Sequence, residues 1–256
     1  MVHSSPSTYE GIVTIIDTKG NQKLKESIPS HDLTFEWNPF DESKVMILKF
    51  TEDWNFKAMQ LDLKKARLTE CSLPQPFLKW LSLNEIAYLN WDEDHPSLKA
   101  PLVKRDLDTG KGTILYEDIT QFAAFRKMLI IITAEGQSSS KAKYTFYGQN
   151  RKNLFTFSIP QLSSYSDWLV PFYDYNESNG SFITFQPISS GEADAYSEGF
   201  DLVEYNVIKK QKQLIAEGLE NEPISFSPSG DVILYGNSLE KIMDLHEKKT
   251  YDAVKD

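Results

Sequence analysis

A single cysteine, Cys71, stands among 256 residues. One thiol closes no intramolecular disulfide and builds no cysteine-rich zinc site, and it leaves the compartment open. Long apolar runs are also missing. The longest, MLIIITA at 128–134, has the length of a buried strand and falls far short of the roughly 18 residues of a membrane span. Positive charge is scarce: 27 Lys and Arg against 37 Asp and Glu give a net charge of −10. That argues against nucleic acid as a partner, since non-specific binding to it rests on phosphate neutralisation by Lys and Arg. The polar start, MVHSSPSTYEG, lacks the apolar core of an export signal. Either the protein is cytoplasmic, or an export signal and any membrane anchor have been removed from it. Residues 1–8 read as a disordered or loosely held lead-in.

Local catalytic motifs are absent as well. There is no Gly-x-Ser-x-Gly nucleophile elbow and no phosphate-binding glycine loop. His3, His31, His95 and His246 show no His-x-x-x-His spacing. WDEDH at 91–95 collects carboxylates beside an imidazole, but neighbours on an extended chain point apart, so it reads as an acidic loop. DYNESNG at 174–180 imitates the start of a calcium loop, yet its glycine falls one place late and no closing glutamate follows. Neither a metal nor a cofactor is expected. Carboxylates brought together from distant loops would leave no local signature, so a hydrolase acting on a glycan or peptide stays open as the alternative function.

What the chain does contain is repetition. FEWNPFDESKVMILKF at 35–50, FLKWLSLNEIAYLNW at 77–91, FAAFRKMLIIITA at 122–134, WLVPFYDYNESNGSFITFQP at 168–187 and ISFSPSGDVILYG at 224–236 are five versions of one hairpin. Each places aromatic and β-branched residues between turn formers. A second hairpin alternates with the first, at 12–26, 58–70, 103–117, 202–217 and 241–254, and 143–159 fills the remaining slot. Asp17, Asp62, Asp106, Asn206 and Asp244 end its first strand, where a short polar side chain bonds the turn backbone. Trp37 to Trp80 is 43 residues and Asp17 to Asp62 is 45. Two hairpins per period make four strands, the size of a propeller blade. SLEKIMDLHEKK admits a short helix by pattern, but its place in the repeat favours strand and turn.

The aromatic-Ser-Pro-x-Gly-Asp turn of 224–236 and the Asp-Leu-Asp-Thr-Gly turn of 103–113 resemble the TolB-type, WD-like propeller repeat. Similar repeats occur in extracytoplasmic lipoproteins of Gram-positive bacteria. The resemblance implies an all-β fold: a β-propeller of four-stranded blades forming one domain over 1–256. The hairpin count is five and a half blades. The preferred reading is six blades with an incomplete first blade, and the alternative is five blades plus an extra hairpin. A further option lets the last repeat lend strands to the first blade. The resemblance also implies an extracytoplasmic, membrane-anchored protein and a non-catalytic binding scaffold with a protein or cell-envelope partner.

Binding residues are expected on the long loops between the second and third strands of the blades. TEDWNFK at 51–57, NWDEDHPSLKAP at 90–101 and QPISSGEADAYSEGF at 186–200 offer Trp54, Trp91, Asp92, Asp94, His95 and Tyr196. The turns between third and fourth strands have the opposite charge. Across 18–23, 63–67, 108–112, 149–153, 208–212 and 246–249 lie 13 of the 27 Lys and Arg in 30 residues. Lysines there guard outer strands against edge-to-edge pairing, or form a basic rim toward an anionic membrane or wall polymer.

Overall fold

The computed structural model of the chain describes residues 2–92, 94–95, 97–134, 140–163 and 168–253. Among the described residues the strands form seven sheets, six successive blades and one small accessory sheet. The first sheet has three: β1 (Val2–Ser7), β2 (Glu10–Ile16) and β3 (Gln22–Pro29). The second holds β4 (Asp32–Trp37), β5 (Lys44–Phe50), β6 (Phe56–Asp62) and β7 (Arg67–Cys71). The third holds β8 (Leu78–Trp80), β9 (Glu85–Leu89), β10 (Ala100–Asp106) and β11 (Gly112–Ile119). The fourth holds β12 (Gln121–Ala124), β13 (Met128–Ala134), β14 (Lys141–Gly148) and β15 (Asn153–Pro160). Two short strands, β16 (Leu162–Ser163) and β17 (Trp168–Leu169), precede β18 (Tyr173–Asn176) and β19 (Ser181–Pro187). Next comes β20 (Gly191–Glu192), which joins β16 and β17 in a small accessory sheet. The fifth blade is β18, β19, β21 (Phe200–Asn206) and β22 (Gln211–Leu219). The sixth is β23 (Ile224–Phe226), β24 (Val232–Tyr235), β25 (Lys241–Asp244) and β26 (Lys249–Asp252).

Two sequence expectations change. The lead-in is not loose: β1 pairs with β2 through Val2↔Thr14, His3↔Val13 and Ser4↔Ile12. Backbone pairing needs only N–H and C=O groups, which a serine-rich segment supplies as well as an apolar one. The first blade therefore has three strands rather than one hairpin, and the last repeat keeps all four of its strands in its own sheet. The segment at 238–249 is strand and turn.

Burial explains the repeat pattern. The second strand of a blade is covered on both faces, so it reads as a continuous apolar run. In β5 the alternation splits one strand between two cores: Val45 and Ile47 join Val13, Ile15, Ile28 and Leu61, while Met46, Leu48 and Phe50 join Trp80, Ile86 and Tyr88. Fourth strands are mostly exposed, as in the polar RLTEC of β7, whereas β15 packs Phe155 and Phe157 against a core.

The chain divides into two compact units, Met1–Trp91 with Pro101–Tyr116, and Asp92–Ala100 with Glu117–Asp256. The first unit has the two cores just described, one aliphatic and one mixed with Phe50, Trp80 and Tyr88. In the second, Phe157 stacks on Tyr205 at 3.7 Å and on Tyr144 at 5.2 Å, with Phe146 and Phe182 packed alongside.

Polar atoms fix the turns. Oδ1 of Asp17, Asp62, Asp106 and Asp244 accepts the backbone N–H two residues on at 2.8–3.0 Å, and Asn206 accepts that of Lys209. A second device recurs in both units. Buried Asn38 accepts Phe40 N–H and donates to the Leu83 carbonyl at the corresponding turn of the next blade, 3.2 Å away. Asn176 does the same in the second unit, accepting Ser178 N–H and donating to the Ser227 carbonyl at 3.2 Å.

Candidate functional site

The turn between β5 and β6 presents a tryptophan to solvent. Thr51 and Asn55 close it, with Thr51 N–H donating to the Asn55 carbonyl and Trp54 N–H to that of Thr51. Trp54 sits at φ 59°, in the left-handed region that bulky residues avoid. Its side chain is 66% exposed, yet it packs edge-on against Phe50 at 6.0 Å and His31 at 6.2 Å. Beside these rings opens a recess of about 350 Å³, whose lining includes Tyr9, Pro29, His31, Phe50, Glu52 and Phe56. Tyr9 is 63% exposed. All of these residues belong to the first unit. They come from turns at one end of two neighbouring blades: β1–β2, β3–β4 and β5–β6.

The other expected site residues are placed differently. Trp91 is half-buried, and its carbonyl accepts Gln75 Nε2–H at 3.3 Å. Asp92, Asp94 and His95 are brought together locally: Asp92 Oδ1 accepts the N–H groups of Asp94 and His95, and its Oδ2 lies 3.2 Å from His95 Nδ1. Glu93, the third acid of that loop, lies outside the described residues. Tyr196 has its hydroxyl committed within its own loop, accepting Ile188 N–H at 2.8 Å and donating to the Gly199 carbonyl at 2.7 Å. Its ring rests edge-on against Phe200. Sequence reasoning missed Tyr9, His31 and Phe50. The usable signal was for Tyr9, which precedes Trp54 by 45 residues, the same spacing as Asp17 to Asp62.

Burial shifts a few titratable groups. It raises the carboxyl of Glu36 despite the Lys79 ammonium 2.7 Å away. Burial likewise raises Asp174, whose carboxylate accepts the N–H groups of Phe226 at 2.7 Å and Tyr175 at 2.8 Å. The Cys71 thiol is also pushed up by burial, away from the reactive thiolate. Among the described residues no group of three or more His, Cys, Asp or Glu side chains is placed to hold a metal ion. No helix among them is long and apolar enough to cross a membrane.

Comparison with known proteins places these features in a family. Residues 1–236 match the family described as YqgU-like 6-bladed beta propeller domain. The uncharacterized lipoprotein YqgU of Bacillus subtilis (strain 168) is 27% identical over 244 residues, 95% of this chain and 66% of the relative. The chain thus spans just under two thirds of that curated relative's length. The crystal structure of lmo1340 from Listeria monocytogenes EGD-e is similar with a TM-score of 0.89 at 25% identity, over 99% of this chain and 76% of that one. TolB from Acinetobacter baumannii shares the fold, with a TM-score of 0.56 at 13% identity over 94% of this chain and 58% of its own.

Proposed function

Because this chain belongs to the YqgU-like six-bladed β-propeller family, we propose that it is an extracytoplasmic, membrane-anchored binding scaffold that recognises a protein of the cell envelope. The lipoprotein relative supports the anchor and the compartment. The observation that carries the binding reading is Trp54. Its side chain is held exposed on a strained backbone, against His31 and Phe50 of the recess lining, and such strain concentrates at functional sites. Exposed tryptophan and tyrosine side chains are those that anchor interfaces. Trp91, Asp92, Asp94 and His95 on their loop, and Tyr196 on its own, are further candidate contacts, each to be tested by itself.

A hydrolase would draw on Glu36 or Asp174, the carboxyls that burial raises. Both are engaged already, Glu36 by Lys79 and Asp174 by two backbone N–H groups, so binding is the reading the geometry favours. The test is photo-crosslinking in cells from position 9, with position 114 as the control, since Ile114 is also exposed but lies outside the recess. An adduct to an envelope protein from position 9 alone, abolished by Trp54→Ala, is the expected result. Equal adducts from both positions, or an adduct indifferent to Trp54→Ala, would sink the reading.

A further inference from the structure

A second recess lies in the second unit, at the other end of its blades, and its character is the reverse of the first. It has a volume of about 590 Å³ and lies between the fourth and fifth blades. Lys127, Lys152 and Lys209 line it, each from a different turn, over a floor that includes Met128, Leu154 and Tyr175. Each lysine has a basic neighbour in its turn, giving Arg126-Lys127, Arg151-Lys152 and Lys209-Lys210. Three lysines from three turns thus line one concavity, and each has an exposed basic neighbour in sequence. The opposing turn between β18 and β19 contributes one acid, Glu177, and its Oε1 is occupied by the Lys127 backbone N–H at 3.0 Å. On a chain of net charge −10, this is a local excess of the opposite sign. A concave surface concentrates such a field more than a convex one.

The backbone is shaped to keep the recess open to solvent on one side and walled on the other. Gly180, at φ +74°, lets Ile208 close over the β18–β19 turn; a Cβ there would stand 2.6 Å from Ile208 Cγ1. Ile208 is itself 65% exposed and forms an apolar wall beside the lysines. Gln149, Asn150 and Ser178 add carboxamide and hydroxyl groups to the lining.

We propose that this recess binds a segment of a phosphate-bearing polymer with hydroxyl-rich repeats, such as a polyol- or sugar-phosphate chain. Three lysines supplied by three separate turns, each followed or preceded by a further exposed cation, match a ligand that carries its charges in series. Lysine binds phosphate as a point charge without demanding one geometry, which suits a flexible chain. The carboxamides and Ser178 suit hydroxyl groups between the phosphates. A flat anionic bilayer meets the rim of such a concavity but does not enter it.

Calorimetric titration with a short synthetic glycerol-phosphate oligomer tests the proposal, alongside inorganic phosphate and phosphatidylglycerol vesicles. Lys127→Gln/Lys152→Gln/Lys209→Gln is expected to weaken oligomer binding about tenfold or more, from the loss of three charges near the ligand. Lys19→Gln/Lys65→Gln/Lys111→Gln removes the same charge from equivalent exposed turns of the first three blades and is expected to leave the affinity within about twofold. Ile208→Glu, which puts an acid on the wall, is expected to weaken binding with the melting temperature retained. Equal weakening in the two triple variants would show attraction by net charge and overturn the proposal. Absence of oligomer binding would do so too, as would vesicle binding alone that the first triple variant abolishes.

Discussion

The seams between blades in the two units are packed from different side chains. In the first unit Val13, Ile15, Val45, Ile47 and Leu61 meet as an aliphatic layer. In the second, Tyr144, Phe146, Phe157, Phe182 and Tyr205 meet as stacked and edge-on rings. The polar fastening is nevertheless the same, one buried asparagine that caps its own turn and donates to a carbonyl of the next blade. A seam asks for filled volume, which aliphatic and aromatic side chains satisfy equally. A turn asks for a donor and an acceptor at fixed points, which few residues satisfy.

The largest expected effect comes from the aromatic seam. Phe146 is fully buried and packs on Phe155, Phe157 and Phe182. Phe146→Ala is expected to cost about 3–5 kcal/mol and Ile47→Ala in the aliphatic seam about 2–5 kcal/mol. Urea unfolding of both variants checks this, and a much smaller loss at Phe146 would show that the rings re-pack. Next are the fastenings. Asn38→Ala and Asn176→Ala each leave buried backbone groups unpaired, and each is expected to cost about 1–3 kcal/mol. Similar losses in the two units are the expected outcome; a cost at one position only would break the equivalence.

Smaller effects sharpen the contrast. Trp54→Gly relieves the left-handed backbone and is expected to raise stability by up to about 1 kcal/mol while abolishing the crosslink from position 9. The Tyr144 hydroxyl is buried without a hydrogen-bond partner among the described residues. Tyr144→Phe is therefore expected to leave the melting temperature unchanged or slightly raised. A clear loss would reveal a bound water that completes the aromatic seam.

Acid should act at Asp41 and at Asp174 in opposite directions. Hydrogen bonds from the Ser43 hydroxyl and N–H hold Asp41 down at about 2, below its ordinary 3.8. A depressed folded-state pKa gives stability that is complete above about pH 4 and is lost as pH falls toward about 2. Asp174 is raised by burial, so its contribution is present at low pH and is lost as pH rises through its folded-state value. Asp41→Asn should flatten the acid limb of a urea-midpoint profile, and Asp174→Asn should flatten the limb on the neutral side. An unchanged profile in either variant would refute that assignment.

Much of the fold was legible because turns carry its signature. Asp17, Asp62, Asp106 and Asp244 were readable as turn caps since an Asx turn needs that side chain at that place. The double-sided burial of β5 and β13 was readable as apolar runs. β1 was not, because serines and a proline signal a loop while their backbone pairs regardless. Missing β1 also hid Tyr9, and with it the recess beside Trp54. Trp37 and Trp80, 43 residues apart, looked equivalent, but Trp80 is buried with its indole N–H on the Glu36 carbonyl while Trp37 bonds the Glu42 carbonyl at the surface. Spacing reports a position in the repeat and not the neighbour the next blade supplies. The excess of lysine in the third-to-fourth-strand turns was countable. Its convergence with Lys127, which belongs to a different kind of turn, depends on how two blades of one unit pack.

The asparagine fastenings also differ in how they age. Deamidation begins when the backbone nitrogen of the following residue attacks the side-chain carboxamide, and this needs an N–H there. Pro39 follows Asn38 and has none, so the fastening of the first unit is closed to that route. Asn176 is followed by Glu177 and relies on burial and on three hydrogen bonds, two from Ser178 and one to Ser227, to hold the carboxamide away from attack. Over a long lifetime, the second unit is where chemical wear of these two asparagine joints would begin.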